Sequence, residues 1–156
     1  MKTFARLMIV AGIGQLAAPA MADSIDRGRQ DPTYRAECGS CHAPYPARLL
    51  SRTEWRQITG KLDQHFGTDA TLDDVSALKK IDAFLQANAA TQPRTVTAPG
   101  KLPRITESRW FIREHDEIGA NVWKKPWVKS AANCGACHGG ADQGGFSEHD
   151  VRIPRQ

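Results

Sequence analysis

The sequence predicts an all-α protein of two small helical units with long loops and little or no β-sheet. Three observations carry that prediction. Apolar residues recur at helical spacing over residues 55–66, 75–85 and 111–118. No stretch alternates apolar and polar residues as a half-buried strand would. Between the second and third stretches lies a breaker-rich segment, Thr91 to Arg104, with prolines at 93, 99 and 103 and a glycine at 100. Such a segment reads as a linker or a surface-hugging connection. The 156 residues fit one domain or two very small ones. With 24% charged and 40% hydrophobic residues, the chain is neither a disordered polyelectrolyte nor a multi-span membrane protein. Units this small bury modest cores and need a staple, whether a disulfide, a metal or a cofactor.

The chain starts with an export signature. Lys2 and Arg6 precede a largely apolar run, Leu7 to Ala18, and Ala20-Met21-Ala22 fits a small-x-small cleavage pattern. The run is shorter than the roughly 20 residues of a bilayer span, which weighs against an uncleaved anchor. Residues 1–22 are therefore expected to be a signal peptide and residues 23–156 a periplasmic protein. Cleavage lowers the formal charge from +4 to +2 and removes all three methionines, Met1, Met8 and Met21. All four cysteines remain.

Residues 23–93 form the expected first unit and residues 94–156 the second, with 94–104 as the connection. In the first unit, Ser51-Arg52-Thr53-Glu54 fits a capping box. The helix it starts is expected to carry Trp55, Ile58, Leu62, His65 and Phe66 on one face and to close at Gly67. Thr71 is the expected cap of the next helix, with Asp73 and Asp74 near its positive end. Val75, Leu78, Ile81, Phe84 and Leu85 supply its apolar stripe. In the second unit a helix from Thr106 to about Ile118 sets Phe111, Ile112, His115 and Ile118 against Arg113, Glu114, Asp116 and Glu117. A turn from Ser130 follows, and glycines at 139, 140, 144 and 145 indicate coil.

Each unit contains one Cys-x-x-Cys-His motif: Cys38-Gly39-Ser40-Cys41-His42 and Cys134-Gly135-Ala136-Cys137-His138. Two thiols at this spacing add across the two vinyl groups of haem, and the adjacent histidine is placed to coordinate the iron. Chance supplies roughly 0.004 such motifs in a chain of this composition; two of them consume every cysteine here. Two disulfides, a thioredoxin-type redox pair and a zinc site are the competing uses of cysteine pairs. None explains a histidine directly after both pairs, and no βαβ pattern surrounds either. The expectation is two covalently bound haem c groups in two small cytochrome c-type haem domains.

A haem iron of this type usually takes a second axial ligand, methionine or histidine. The mature chain has no methionine, and three histidines remain for two irons: His65, His115 and His149. His65 and His115 each fall on an expected apolar helix face, where a neutral histidine without a partner is costly to bury and an iron would remove that cost. His149 lies in the polar Ser147-Glu148-His149-Asp150 segment and is read as exposed, the reserve candidate. The simplest wiring joins His42 with His65 and His138 with His115; crossed wiring stays open. Six-coordinate irons argue for electron transfer rather than catalysis. The rival reading is a haem enzyme or gas sensor with one open or labile site.

The segments ECGSCHAPYP (37–46), DQHFG (around His65), ANAA (87–90), RITESRWFIREHDEI (104–118), ANCGACHGGA (132–141) and RIPR (152–155) resemble the periplasmic dihaem cytochrome c family typified by purple bacteria. The resemblance covers nearly the whole mature chain. It implies two helical haem domains with bis-histidine irons and a periplasmic electron shuttle. It also implies a membrane cytochrome b as donor and a small monohaem cytochrome c as acceptor.

The four tryptophans, at 55, 110, 123 and 127, are expected to pack against porphyrin or in ordinary cores. Residues 23–93 carry a net −1 and residues 94–156 a net +3; Lys124, Lys125 and Lys129 surround Trp127 and suit an acidic partner. Four haem propionates would bring the holoprotein near −2, so the basic composition carries no nucleic-acid signal.

Overall fold

A computed structural model describes residues 30–154. The expected signal peptide, residues 1–22, lies outside the described residues. Four α-helices are linked by coil and short 3-10 turns: α1 Pro32–Cys38, α2 Arg52–Thr59, α3 Val75–Asn88 and α4 Arg109–Glu114. Among the described residues there is no named strand, only isolated bridges such as Ser51 with Ala90. The all-α expectation matches this architecture. No described helix is long and apolar enough to cross a membrane.

The helix starts follow local chemistry. Asp31 accepts from the Thr33 and Tyr34 N–H groups while Pro32 takes a first-turn position where no N–H is needed. Ser51 and Glu54 form the expected capping box of α2. Asp74, not Thr71, caps α3: its carboxylate takes the Ser76 and Ala77 N–H groups at 2.7 and 3.1 Å. Thr71 instead gives its own N–H to Asp69.

Two helices are shorter than their apolar spacing suggests. α2 ends at Thr59, where the Gly60 N–H closes onto Arg56 and Ile58. The chain continues through a 3-10 turn, Leu62–Gln64, so His65 stands in a turn rather than on the helix face. Phe66 and Gly67 then take positive φ values of 50° and 94°. The expected helix from Thr106 resolves into a 3-10 turn, Ile105–Glu107, and α4, with buried Ser108 capping α4 by accepting the Phe111 N–H at 3.0 Å. His115 sits just past its end, and Ile112 faces solvent rather than the core.

α1, α2 and α3 enclose one core of Tyr34, Ala47, Leu50, Trp55, Ile58, Ile81 and Leu85, and Ile105 from beyond the connection joins it. Val75 at the start of the α3 stripe is exposed. The connection is pinned: Glu54, buried at the start of α2, accepts from the Arg94 N–H and from the Thr95 N–H and hydroxyl. Around the second motif little regular structure forms; buried Phe111, Val128 and Ala141 provide its small apolar interior.

Candidate cofactor sites

The first cavity, about 470 Å³, lies between α1, α2, α3 and the His65 turn. Cys38, Cys41, His42 and His65 all line it, with Trp55, Ile58, Leu62, Ile81 and Leu85 as apolar wall. The His42 and His65 ring centroids are 6.2 Å apart, with planes 13° from parallel. The second cavity, about 400 Å³, holds Cys134, Cys137, His138 and His115 with Trp110, Phe111 and Trp123. Here the His115 and His138 centroids are 6.1 Å apart and the planes 72° apart. Both volumes fall in the usual range for cofactor pockets.

These spacings suit one metal ion between each pair. A metal–imidazole bond is about 2.0–2.1 Å and the ring centroid lies about 1.1–1.2 Å behind its nitrogen, so opposed ligands have centroids about 6.2–6.6 Å apart; the observed 6.2 and 6.1 Å stand at and just under the short end of that range. The hydrogen bonds point the same way. His42 Nδ1–H donates to the Ala43 carbonyl and His115 Nδ1–H to the Phe111 carbonyl, each at 2.9 Å. A carbonyl only accepts, so each bond fixes the tautomer and leaves Nε2 with its lone pair. In His65 and His138 the buried Nδ1 has no hydrogen-bond partner in the protein.

Electrostatics keep the rings in the ligating form. Burial, then His42 and Arg104, pushes the His65 pKa down; burial, then His115, does the same for His138. Three of the four thiols are pushed up in pKa. Burial and the nearby Glu37 raise Cys38 to about 11, and burial raises Cys134 and Cys137.

The structure thus brings the eight sequence-selected residues together in two sets of four. All four thiols are unbridged, and they lie in two separate cavities rather than one shell. Among the described residues no group of three or more His, Cys, Asp or Glu side chains could hold a metal ion alone. His149 is exposed and lines neither cavity. Trp55 lines the first cavity and Trp110 and Trp123 the second, whereas Trp127 lies under the Lys125 ammonium, 5.4 Å from it, and lines neither. Sequence reasoning missed Tyr45. It lines both cavities, and burial pushes its phenol pKa up. No periodic pattern marks it.

Paired thiols beside facing imidazoles in two apolar pockets define a c-type cytochrome with two covalent centres. The chain matches the family described as dihaem cytochrome c over residues 34–146, and it belongs to that family. It is a haem c electron carrier with two covalently attached haem c groups. It is similar to a dihaem c-type cytochrome from Shewanella baltica, with 43% identity and a TM-score of 0.66, covering 79% of this chain and 92% of that one. It is also similar to the crystal structure of DHC purified from Rhodobacter sphaeroides, with 40% identity and a TM-score of 0.61, covering 75% of this chain and 97% of that one. A second structure of dihaem cytochrome c from R. sphaeroides aligns at 39% identity and a TM-score of 0.63, covering 76% and 98%. No curated protein sequence matches.

Proposed function

We propose that this protein is a periplasmic single-electron carrier whose two irons are each held between two imidazoles, His42 with His65 and His138 with His115. The observation that carries this reading is the facing of those rings at 6.2 and 6.1 Å within cavities that also hold the thiol pairs. Haem supplies a reversible one-electron iron couple. Cys38 and Cys41 at one site, and Cys134 and Cys137 at the other, anchor it through thioethers. His42 and His115, fixed by their Nδ1–H bonds to backbone carbonyls, present Nε2 in a set direction. His65 and His138 are kept neutral by burial and complete the pairs.

With His42 and His65 holding one iron and His138 and His115 the other, neither site would offer a place for a substrate. That supports electron transfer without catalysis. Nitrogen ligation without a thioether sets both potentials below those of His/Met haems. The signal pattern of residues 1–22 supports export. The family likeness supports a membrane cytochrome b as donor and a small monohaem cytochrome c as acceptor.

Absorption and electron paramagnetic resonance spectra of the holoprotein test the ligation. The expected spectrum has two low-spin haems, and the ferrous protein binds carbon monoxide poorly. His65→Ala and His115→Ala each convert one haem to a high-spin, carbon-monoxide-binding form, and His149→Ala converts neither. Rapid stoichiometric carbon monoxide binding by the unaltered protein overturns bis-histidine ligation. High-spin haem from His149→Ala alone overturns the ligand assignment.

A further inference from the structure

Tyr45 stands between the two sites. Its ring centroid is 5.1 Å from that of His42, with planes tilted by 38°. Its hydroxyl donates to the Ala132 carbonyl at 3.3 Å, across 87 positions of sequence. Tyr45 and Ile105 are the residues that line both cavities, and of the two only Tyr45 is aromatic.

We propose that Tyr45 is the bridge through which the two centres exchange an electron, its ring against the iron ligand of one site and its hydroxyl tied to the attachment segment of the other. The inference rests on the electron-carrier reading above. In the step, one electron leaves ferrous iron at one site, which becomes ferric, and reduces ferric iron at the other. No bond forms or breaks. Tyr45 is neither oxidised nor reduced and keeps its phenolic proton; it replaces a gap or a saturated side chain with a π system and a hydrogen bond. Electronic coupling falls off more slowly through such a medium than through space.

The test is the intramolecular exchange rate in the half-reduced holoprotein, read from exchange broadening of the haem methyl proton resonances. Tyr45→Leu keeps much of the bulk and removes the π system; it slows exchange by about tenfold, equivalent to about 1.4 kcal/mol of barrier. Tyr45→Phe keeps the ring and removes the hydroxyl; it slows exchange by about threefold, equivalent to about 0.65 kcal/mol. In both variants the two low-spin signals and the two midpoint potentials stay as in the parent protein. Parent exchange rates in both variants overturn the bridge and leave the carrier reading standing. A slowed rate with displaced g-values at both haems shows a packing role instead and also overturns it. If Tyr45→Leu does not fold with two haems, Tyr45→Phe decides alone. An unaltered holoprotein lacking two low-spin haems overturns the bridge and the carrier reading together.

Discussion

The imidazole planes of His42 and His65 lie 13° from parallel, although these residues stand in separate turns 23 positions apart in sequence. The arrangement is set locally: the Ala43 carbonyl holds His42, and the turn through Phe66 and Gly67 aims His65. At the second site the Phe111 carbonyl and the stacked Phe111 ring, 4.0 Å away, hold His115 at 72° to His138. Plane angle controls the splitting of the iron orbitals that carry the unpaired electron. The ferric protein should therefore show two distinct low-spin resonances: a rhombic one from the first site and one with a single strongly low-field feature from the second. His65→Ala should remove the rhombic signal and His115→Ala the other. Two identical rhombic signals would contradict the plane angles.

Glu54 predicts how stability depends on pH. Burial alone would raise its pKa, but hydrogen bonds from Ser51, Thr95 and Arg94 outweigh burial and hold it below the usual carboxylate value. A carboxylate with a depressed folded pKa contributes stability above its unfolded pKa, and that contribution is lost as pH falls through the folded value. Glu54→Gln should cost about 1–3 kcal/mol at pH 7 because donors to the carboxylate lose a strong acceptor. The cost should shrink as pH falls through the depressed folded pKa of the parent carboxyl, below the ordinary carboxylate range. Denaturant midpoints of both proteins at several pH values check this; an equal deficit at pH 7 and in acid would contradict it.

What was legible in the sequence is what residues do to near neighbours. Ser51 and Glu54 are three apart, and their capping box forms as expected. Asp31-Pro32 carried an equally local helix start that periodicity alone did not show. The cap of α3 fell to Asp74 over Thr71 because a carboxylate placed two and three residues ahead takes two N–H groups at once. The apolar spacing through Leu62, His65 and Phe66 overstated α2, since a 3-10 turn after Gly60 puts the same side chains on one wall of the cavity. The candidate ligands came from composition and motif, whereas the pairs that face each other are a property of the fold. Glu54 reaching Arg94 and Thr95, and Tyr45 reaching Ala132, span 40 to 87 positions, and no short-range pattern encodes them.

The His65 turn should be a sensitive point of the first site. Gly67 has φ +94°, a region that L side chains rarely adopt, and Phe66 beside it is already left-handed at +50°. The Arg104 guanidinium lies 4.3 Å from the Phe66 ring centroid and holds that turn from across the connection. Gly67→Ala should cost about 1–2 kcal/mol and fall selectively on the first haem. Its rhombic signal should broaden or turn partly high-spin while the second signal stays sharp. Equal disturbance at both haems would show that the turn does not act through His65.

Ser108→Ala is the corresponding test at the second site. Ser108 is buried, and its hydroxyl accepts the Phe111 N–H at 3.0 Å, starting the short helix that ends in His115. In a helix of six residues one cap is a large share of the local hydrogen bonding, and losing it costs about 1 kcal/mol. The Phe111 carbonyl that orients His115 belongs to the same turn. The substitution should therefore both lower the denaturant midpoint and loosen the His115 ring, seen as a broadened low-field resonance from the second haem with the first unchanged. A lowered midpoint with both resonances intact would mean that α4 stabilises the fold without orienting the ligand, and that His115 is held by its stacking on Phe111 and by Trp123.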